Sequence, residues 1–125
     1  MNGNVLIVDD SLVARLSLKG IVKDTGLTIA EASSGEAALE LIASGLHPDL
    51  IFLDLTMPGK GGVETLRELR SGRPTLPVVI VTADIQSRTI ETVKELGATA
   101  VVRKPADKGE ILSVLGRCLG EGAPA

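Results

Sequence analysis

The run Leu50-Ile51-Phe52-Leu53 constrains the fold of this chain more than any other stretch. It is bounded by Pro48-Asp49 on one side and by Asp54 and a Pro/Gly-rich segment on the other. Four apolar residues are too few for a helix, and no polar residue alternates with them. Such a run reads as a strand buried on both faces, which demands a layer above it and a layer below it. The strand ends on a carboxylate. Pro58, Gly59, Gly61 and Gly62 then turn the chain into a loop. Asp54 therefore stands at the carboxyl end of a buried strand, the edge at which open α/β sheets bind ligands. Taken alone, Asp54 fits a turn-capping residue equally well.

The rest of the chain repeats the pattern. Val5–Val8 is a first buried strand, followed by Asp9-Asp10 and by a helix opening at Ser11, with Ala14, Leu18, Ile21 and Val22 at helical spacing and Gly26 as its stop. Leu27–Ala32 is a weaker strand. Ser33 and Glu36 have the spacing of a capping box for a helix burying Ala38, Leu41 and Ile42. Val63, Leu66 and Leu69 mark a third helix, closing near Gly72. Val78–Val81 is a fourth strand ending at Thr82, and Ile90, Val93 and Leu96 mark a helix with Gly97 after it. Ala100–Val102 is a short fifth strand leading to Arg103-Lys104-Pro105. Asp107 and Glu110 open a last helix lined by Ile111, Val114, Leu115 and Cys118. Five strand–helix units predict an α/β fold: a five-stranded parallel sheet with helices on both faces and right-handed crossovers, in the flavodoxin-like order 2-1-3-4-5. Residues 1–119 form one domain in this reading, and 120–125 a mobile tail.

Composition excludes several function classes. With a net charge of −3 in 125 residues and no basic stripe, direct nucleic-acid binding is not expected. No apolar run approaches the roughly 20 residues of a membrane span, and the start carries no signal-peptide pattern, so a soluble cytoplasmic protein is expected. The single Cys118 reads as a small core residue. His47 lies in a turn away from the strand ends. The helix charges (Arg67, Glu68, Arg70; Glu91, Lys94, Glu95) read as solvated faces.

The strand ends carry the chemistry. In the 2-1-3-4-5 order, Asp9 and Asp10 after strand one, Asp54 after strand three, Thr82 at the end of strand four and Lys104 after strand five converge on one edge. Clustered carboxylates repel and call for a cation. Oxygen ligands without His or Cys favour Mg²⁺, Mn²⁺ or Ca²⁺ over zinc. Mg²⁺ commonly binds one or two carboxylates together with a phosphate, for which Lys104 supplies a charge and Thr82 a hydroxyl. An Asp can act as nucleophile and form an aspartyl phosphate, and Asp54 is placed to do so.

With these residues in view, the chain resembles a response-regulator receiver domain of two-component signalling. The resemblance rests on VLIVDDS (Val5–Ser11), PDLIFLDLTMPG (Pro48–Gly59), PVVIVTA (Pro77–Ala83) and VVRKP (Val101–Pro105), and covers nearly the whole length. It implies a phosphorylation-activated switch in which Asp54 accepts a phosphoryl group from a histidine kinase, a histidine phosphotransfer protein or a small phosphodonor. It further implies that Asp9, Asp10, Asp54 and the backbone carbonyl of Thr56 hold Mg²⁺, or Mn²⁺, and that Thr82, Ala83 and Lys104 contact the phosphoryl group. Self-phosphotransfer and autodephosphorylation would then be its only chemistry, with no turnover of external substrates. Thr56 and Asp84, each two residues beyond an active-site residue, are expected to tune dephosphorylation. A downstream protein would read the face of the fourth helix, fifth strand and fifth helix, with the chain a monomer or a weak phosphorylation-dependent dimer. Where the family usually has an aromatic before the lysine, this chain has Val101; where it usually has Phe after Lys-Pro, it has Ala106. Switching through a rotating aromatic ring is therefore not available.

Other readings fare worse. An aspartyl-phosphate phosphohydrolase would want a second Asp two residues after the nucleophile, where Thr56 stands. A flavin module would want a hydroxyl- and Gly-rich first loop and aromatic walls, neither of which is present. A phosphorylation-independent scaffold, or a receiver module cut from a larger regulator or hybrid kinase, remains as an alternative.

Overall fold

The computed structural model describes residues 2–57, 59 and 61–119. Pro58 and the Gly120–Ala125 tail of the sequence reading lie outside the described residues. The elements alternate as β1 (Asn4–Val8), α1 (Leu12–Val22), β2 (Thr28–Ala32), α2 (Gly35–Ala43), β3 (Leu50–Leu53), α3 (Gly62–Gly72), β4 (Val78–Thr82), α4 (Ser87–Glu95), β5 (Ala100–Arg103) and α5 (Lys108–Leu119). The strands form one parallel sheet in the order β2-β1-β3-β4-β5, as expected. No helix among the described residues is long and apolar enough to cross a membrane.

The strands' alternation splits the core into two layers. Val5, Ile7, Leu50, Phe52, Val79 and Val81 pack against Leu18 and Val22 of α1 and Ile111, Val114 and Leu115 of α5. Their neighbours Leu6, Val8, Ile51, Leu53, Val78 and Ile80 pack against Ala38 and Ile42 of α2, Leu66 and Leu69 of α3 and Val93 of α4. Every residue of β3 is buried, which explains its unbroken apolar run. Cys118 is half-buried against the α1–α5 layer.

Caps and turns follow local chemistry. The Ser11 hydroxyl accepts the Ala14 N–H at 3.1 Å and opens α1, and the Asp107 carboxylate accepts the Glu110 N–H at 2.9 Å and opens α5. After α1, one 3-10 turn (Lys23–Thr25) ends at Gly26 with φ +86°, a left-handed position suited to glycine. The entry to α2 differs from the expected capping box. Ser34, not Ser33, accepts the Ala37 N–H at 3.0 Å, and Glu36 falls one position too early to reciprocate. Pairing of β2 with β1 runs through Ala32, whose carbonyl accepts the Asp9 N–H, so Ser33 is used up as connector.

Arg70 also departs from expectation. It is not a solvated helix charge: its guanidinium donates from Nε and Nη2 to the Gly97 carbonyl at 2.9 and 2.7 Å, and from Nη1 to the carbonyls of Arg73 and Leu76 at 3.0 and 2.6 Å. One side chain thus ties the end of α3, the approach to β4 and the turn after α4 together. Burial lowers its pKa from the ordinary value.

Candidate functional site

The sheet register delivers the polar residues to one edge. Val8 stands opposite Leu53, and the ladder continues one step beyond, with the Asp54 N–H donating to the Val8 carbonyl at 2.9 Å. On the other side Thr82 stands opposite Arg103, and the Lys104 N–H donates to the Thr82 carbonyl at 2.9 Å. Residues 9 and 54 thereby leave their strands at the same level, whereas Leu53 pairs with Ile80 and Ile80 with Val101, so residue 104 follows two positions further along and its long side chain reaches back to the carboxylates.

Carboxylate oxygens of Asp9, Asp10 and Asp54 all lie within 4.8 Å of one another. Asp9 and Asp54 are buried and Asp10 is exposed. Lys104 reaches between them: its Nζ is 2.7 Å from Asp9 Oδ2 and 3.5 Å from Asp54 Oδ1. Of the two carboxylates, Asp9 is the tighter partner of the lysine. The other oxygen of Asp9 accepts the Ser11 N–H at 2.9 Å, which orients that carboxylate. Burial, and next the charge of Asp9, push the Asp54 carboxyl above its ordinary value, against the pull of Lys104 and the Thr56 N–H. Burial pulls the Lys104 ammonium down, but hydrogen bonding to Asp9 and the charges of both carboxylates outweigh it, so its pKa is raised.

Thr82 is fully buried, and its hydroxyl oxygen accepts the Asp84 N–H at 3.0 Å. The Asp84 carboxylate then holds the start of α4, accepting the Gln86 N–H and the Thr89 hydroxyl, both at 3.2 Å. Thr56 is exposed and Val101 half-buried on the α2–α4 side of the sheet. Ala83 is exposed and lines a cleft of about 500 Å³ with Asp9, Lys104, Val13, Pro105 and Ala106. With only a methyl group at Ala106, the space between α1 and the β5–α5 loop stays open.

The donor set is three carboxylates with no imidazole or thiolate nearby, a match to hard divalent cations such as Mg²⁺ or Mn²⁺. The residues present therefore fit the cation that the sequence implies. Two features were missed in the sequence. Leu12, Val13 and Leu16 are exposed on α1 beside the site, at 58%, 77% and 53%; lying off the stripe of Ala14, Leu18, Ile21 and Val22, they were readable as apolar residues on a wet face. Arg15 donates to the Asp9 carbonyl, a contact no spacing rule signals.

Comparison with known proteins agrees with this geometry. The family signature described as response regulator receiver domain matches residues 5–116. Sporulation initiation phosphotransferase F of Bacillus subtilis is 35% identical over 111 residues, covering 89% of this chain and 89% of that protein. Chemotaxis protein CheY of Thermotoga maritima is 32% identical over 119 residues, covering 94% and 98%. The crystal structure of a response regulator receiver protein from Pseudomonas putida superposes with a TM-score of 0.87 at 27% identity, covering 94% of this chain and 98% of that one. Among longer relatives the chain spans only 25% to 54% of their length. The convergent strand ends, the matched signature and the shared fold lead to one conclusion: the chain belongs to the response regulator receiver domain family and carries the acidic pocket of phosphorylation-dependent signalling.

Proposed function

We propose that Asp54 is the phosphoacceptor of a signalling switch and that Asp9, Asp10 and Asp54, with the Thr56 backbone carbonyl, hold Mg²⁺. The observation that carries this reading is the three-carboxylate cluster bridged by Lys104 at the carboxyl edge of the sheet. A bound Mg²⁺ would neutralise the phosphoryl oxygens and lower the ionisation cost of Asp54. An Asp54 oxygen attacks phosphorus, the bond from phosphorus to the donor breaks, and the donor leaves as acetate from acetyl phosphate or as a neutral imidazole, after taking up a proton, from phosphohistidine. Lys104 and the Thr82 hydroxyl then bind phosphoryl oxygens, assisted by the Ala83 N–H. This is single-turnover self-modification, without processing of other substrates.

Thr82 and Asp84 give the phosphoryl group a route to α4. A Thr82 hydroxyl drawn to phosphate gives up the Asp84 N–H, and Asp84 is the residue that holds Gln86 and Thr89. The route needs no aromatic at Val101. A partner reads the α4–β5–α5 face, while the exposed Leu12, Val13 and Leu16 offer the donor protein an apolar surface next to the acceptor. The dephosphorylation role of Thr56 and Asp84 is tested by swapping each for Ala; unchanged phosphoryl lifetimes would remove it.

Intact-mass spectrometry after acetyl phosphate and Mg²⁺ tests the core of this reading. We expect a gain of one phosphoryl group, abolished by EDTA and by Asp54→Asn. A gain that persists in Asp54→Asn would reassign the acceptor, and no gain in the wild type would favour a phosphorylation-independent scaffold.

A further inference from the structure

The acidic pair is carried by a loop only a few residues long, and its backbone is gripped from two sides. The Asp9 N–H donates to the Ala32 carbonyl of β2 at 3.1 Å. The Asp9 carbonyl accepts Nη1 of Arg15 at 2.7 Å. Arg15 is aimed at that carbonyl by Glu31 on β2, whose Oε1 accepts the arginine Nε at 3.1 Å, while Glu31 Oε2 accepts Lys19 Nζ at 2.9 Å. The arginine side chain is only 15% exposed, so it is packed into place and not waving in solvent.

We infer that Arg15, braced by Glu31, is a positioning residue for the divalent-cation site: it fixes the peptide of Asp9 and so the direction in which the Asp9 and Asp10 carboxylates point. The inference rests on the reading above that those carboxylates hold a divalent cation. Arg15 itself touches neither the cation nor the phosphoryl group in this scheme. Partners that orient ligand residues commonly govern metal affinity by tenfold or more.

Charge and positioning make opposite forecasts, which makes the inference testable. Arg15 is a cation beside a site for a dication. By charge alone, Arg15→Met removes a repulsion and tightens Mg²⁺ binding. Positioning demands the reverse, because the Asp9 peptide loses its clamp. Arg15→Lys sharpens the contrast. It keeps the charge but cannot donate to Glu31 and to the Asp9 carbonyl from two nitrogens held in one plane.

The experiment is a Mg²⁺ titration of the full chain, read by backbone amide shifts of Asp9, Asp10 and Ser11 and by calorimetry; with no Trp or Tyr in the chain, intrinsic fluorescence offers no easy signal. We expect Arg15→Met to bind Mg²⁺ about tenfold more weakly than wild type and Arg15→Lys several-fold more weakly. In both variants the amides of the acidic loop should shift before any metal is added. Should Arg15→Met fail to fold, Arg15→Lys alone decides. Variants that bind Mg²⁺ as tightly as wild type, or more tightly, overturn the positioning role. If instead wild type binds no Mg²⁺, or Asp10→Asn binds it as well as wild type does, the cation site itself is misassigned and the inference falls with it.

Discussion

Asp54→Asn should make the metal-free protein more stable, and the structure sets the size of the gain. Oxygens of Asp9 and Asp10 lie within 4.8 Å of an Asp54 oxygen, and at an effective dielectric of 20 each such pair repels by about 3.5 kcal/mol. Lys104, at 3.5 Å, returns about 4.7 kcal/mol on the same scale. Water screens the share of exposed Asp10, while burial of Asp54 adds to the penalty, so the net cost of the charge is on the order of 1–2 kcal/mol. Asn removes that cost at nearly constant shape. It does not strand Lys104, whose closer partner is Asp9 at 2.7 Å. The variant should therefore gain about 1–2 kcal/mol at pH 7 without metal, or roughly 3–8 °C in Tm. Urea unfolding in EDTA followed by far-UV circular dichroism measures it. The pH dependence has a definite sign. A carboxyl whose pKa is raised in the folded state, as that of Asp54 is from 3.8, costs stability in full above the folded pKa. The cost fades as pH falls through the folded value and is gone below the unfolded value. The advantage of Asn should shrink on acidification. Mg²⁺ should oppose it, stabilising wild type more than the variant. A variant no more stable than wild type at pH 7, or an advantage that grows toward low pH, would refute the reasoning.

Other substitutions probe the scaffold. A Cβ on Gly62 would lie 2.6 Å from the Leu55 Cα and nearer still to the Asp54 carbonyl oxygen; Gly62→Ala should cost about 2 kcal/mol or more by overpacking and slow phosphorylation by displacing the acceptor, whereas Gly61→Ala, with its nearest neighbour at 3.7 Å, should be tolerated in both denaturation and phosphorylation assays. Ser34→Ala should lose about 1 kcal/mol of stability as a true cap, and Ser33→Ala less than about 0.5 kcal/mol. Arg70→Met takes the guanidinium donors from the carbonyls of Gly97, Leu76 and Arg73, of which that of Arg73 keeps the Leu76 N–H, and should cost about 2–3 kcal/mol, with faster amide exchange between Gly97 and Thr99.

What could be read from the sequence was what burial dictates. Strand runs such as Leu50–Leu53 and Val78–Val81 announce themselves because both faces are covered, and the strand order then carries Asp9, Asp10, Asp54, Thr82 and Lys104 to one edge. Long-range polar contacts are different in kind. Arg70 and Arg15 sit on helices like any solvated charge, and only the fold shows that a carbonyl 27 residues away, that of Gly97, or the Asp9 peptide lies within reach. Lys104's preference for Asp9 over Asp54 is a matter of an ångström, which no spacing of residues encodes. The shift of the α2 cap from Ser33 to Ser34 was hidden because two adjacent serines offer the same chemistry, and strand pairing through Ala32 chooses between them.

The two ends of α4 are fastened unequally. At its carboxyl end, the Gly97 carbonyl receives two guanidinium bonds of 2.9 and 2.7 Å from Arg70. At its amino end Gln86 makes no side-chain cap, and Asp84 holds the helix through two bonds of 3.2 Å. Mechanically this is a lever with its fulcrum at Gly97 and its free tip beside Thr82. Nine residues make an arm of about 13 Å, so a swing of about ten degrees carries the tip by roughly 2 Å. Force applied at Thr82 meets the helix where its mechanical advantage is greatest and its tether weakest. On the switch reading proposed above, a chain with Val101 in place of an aromatic would thus still turn a small displacement at the sheet edge into a moved surface.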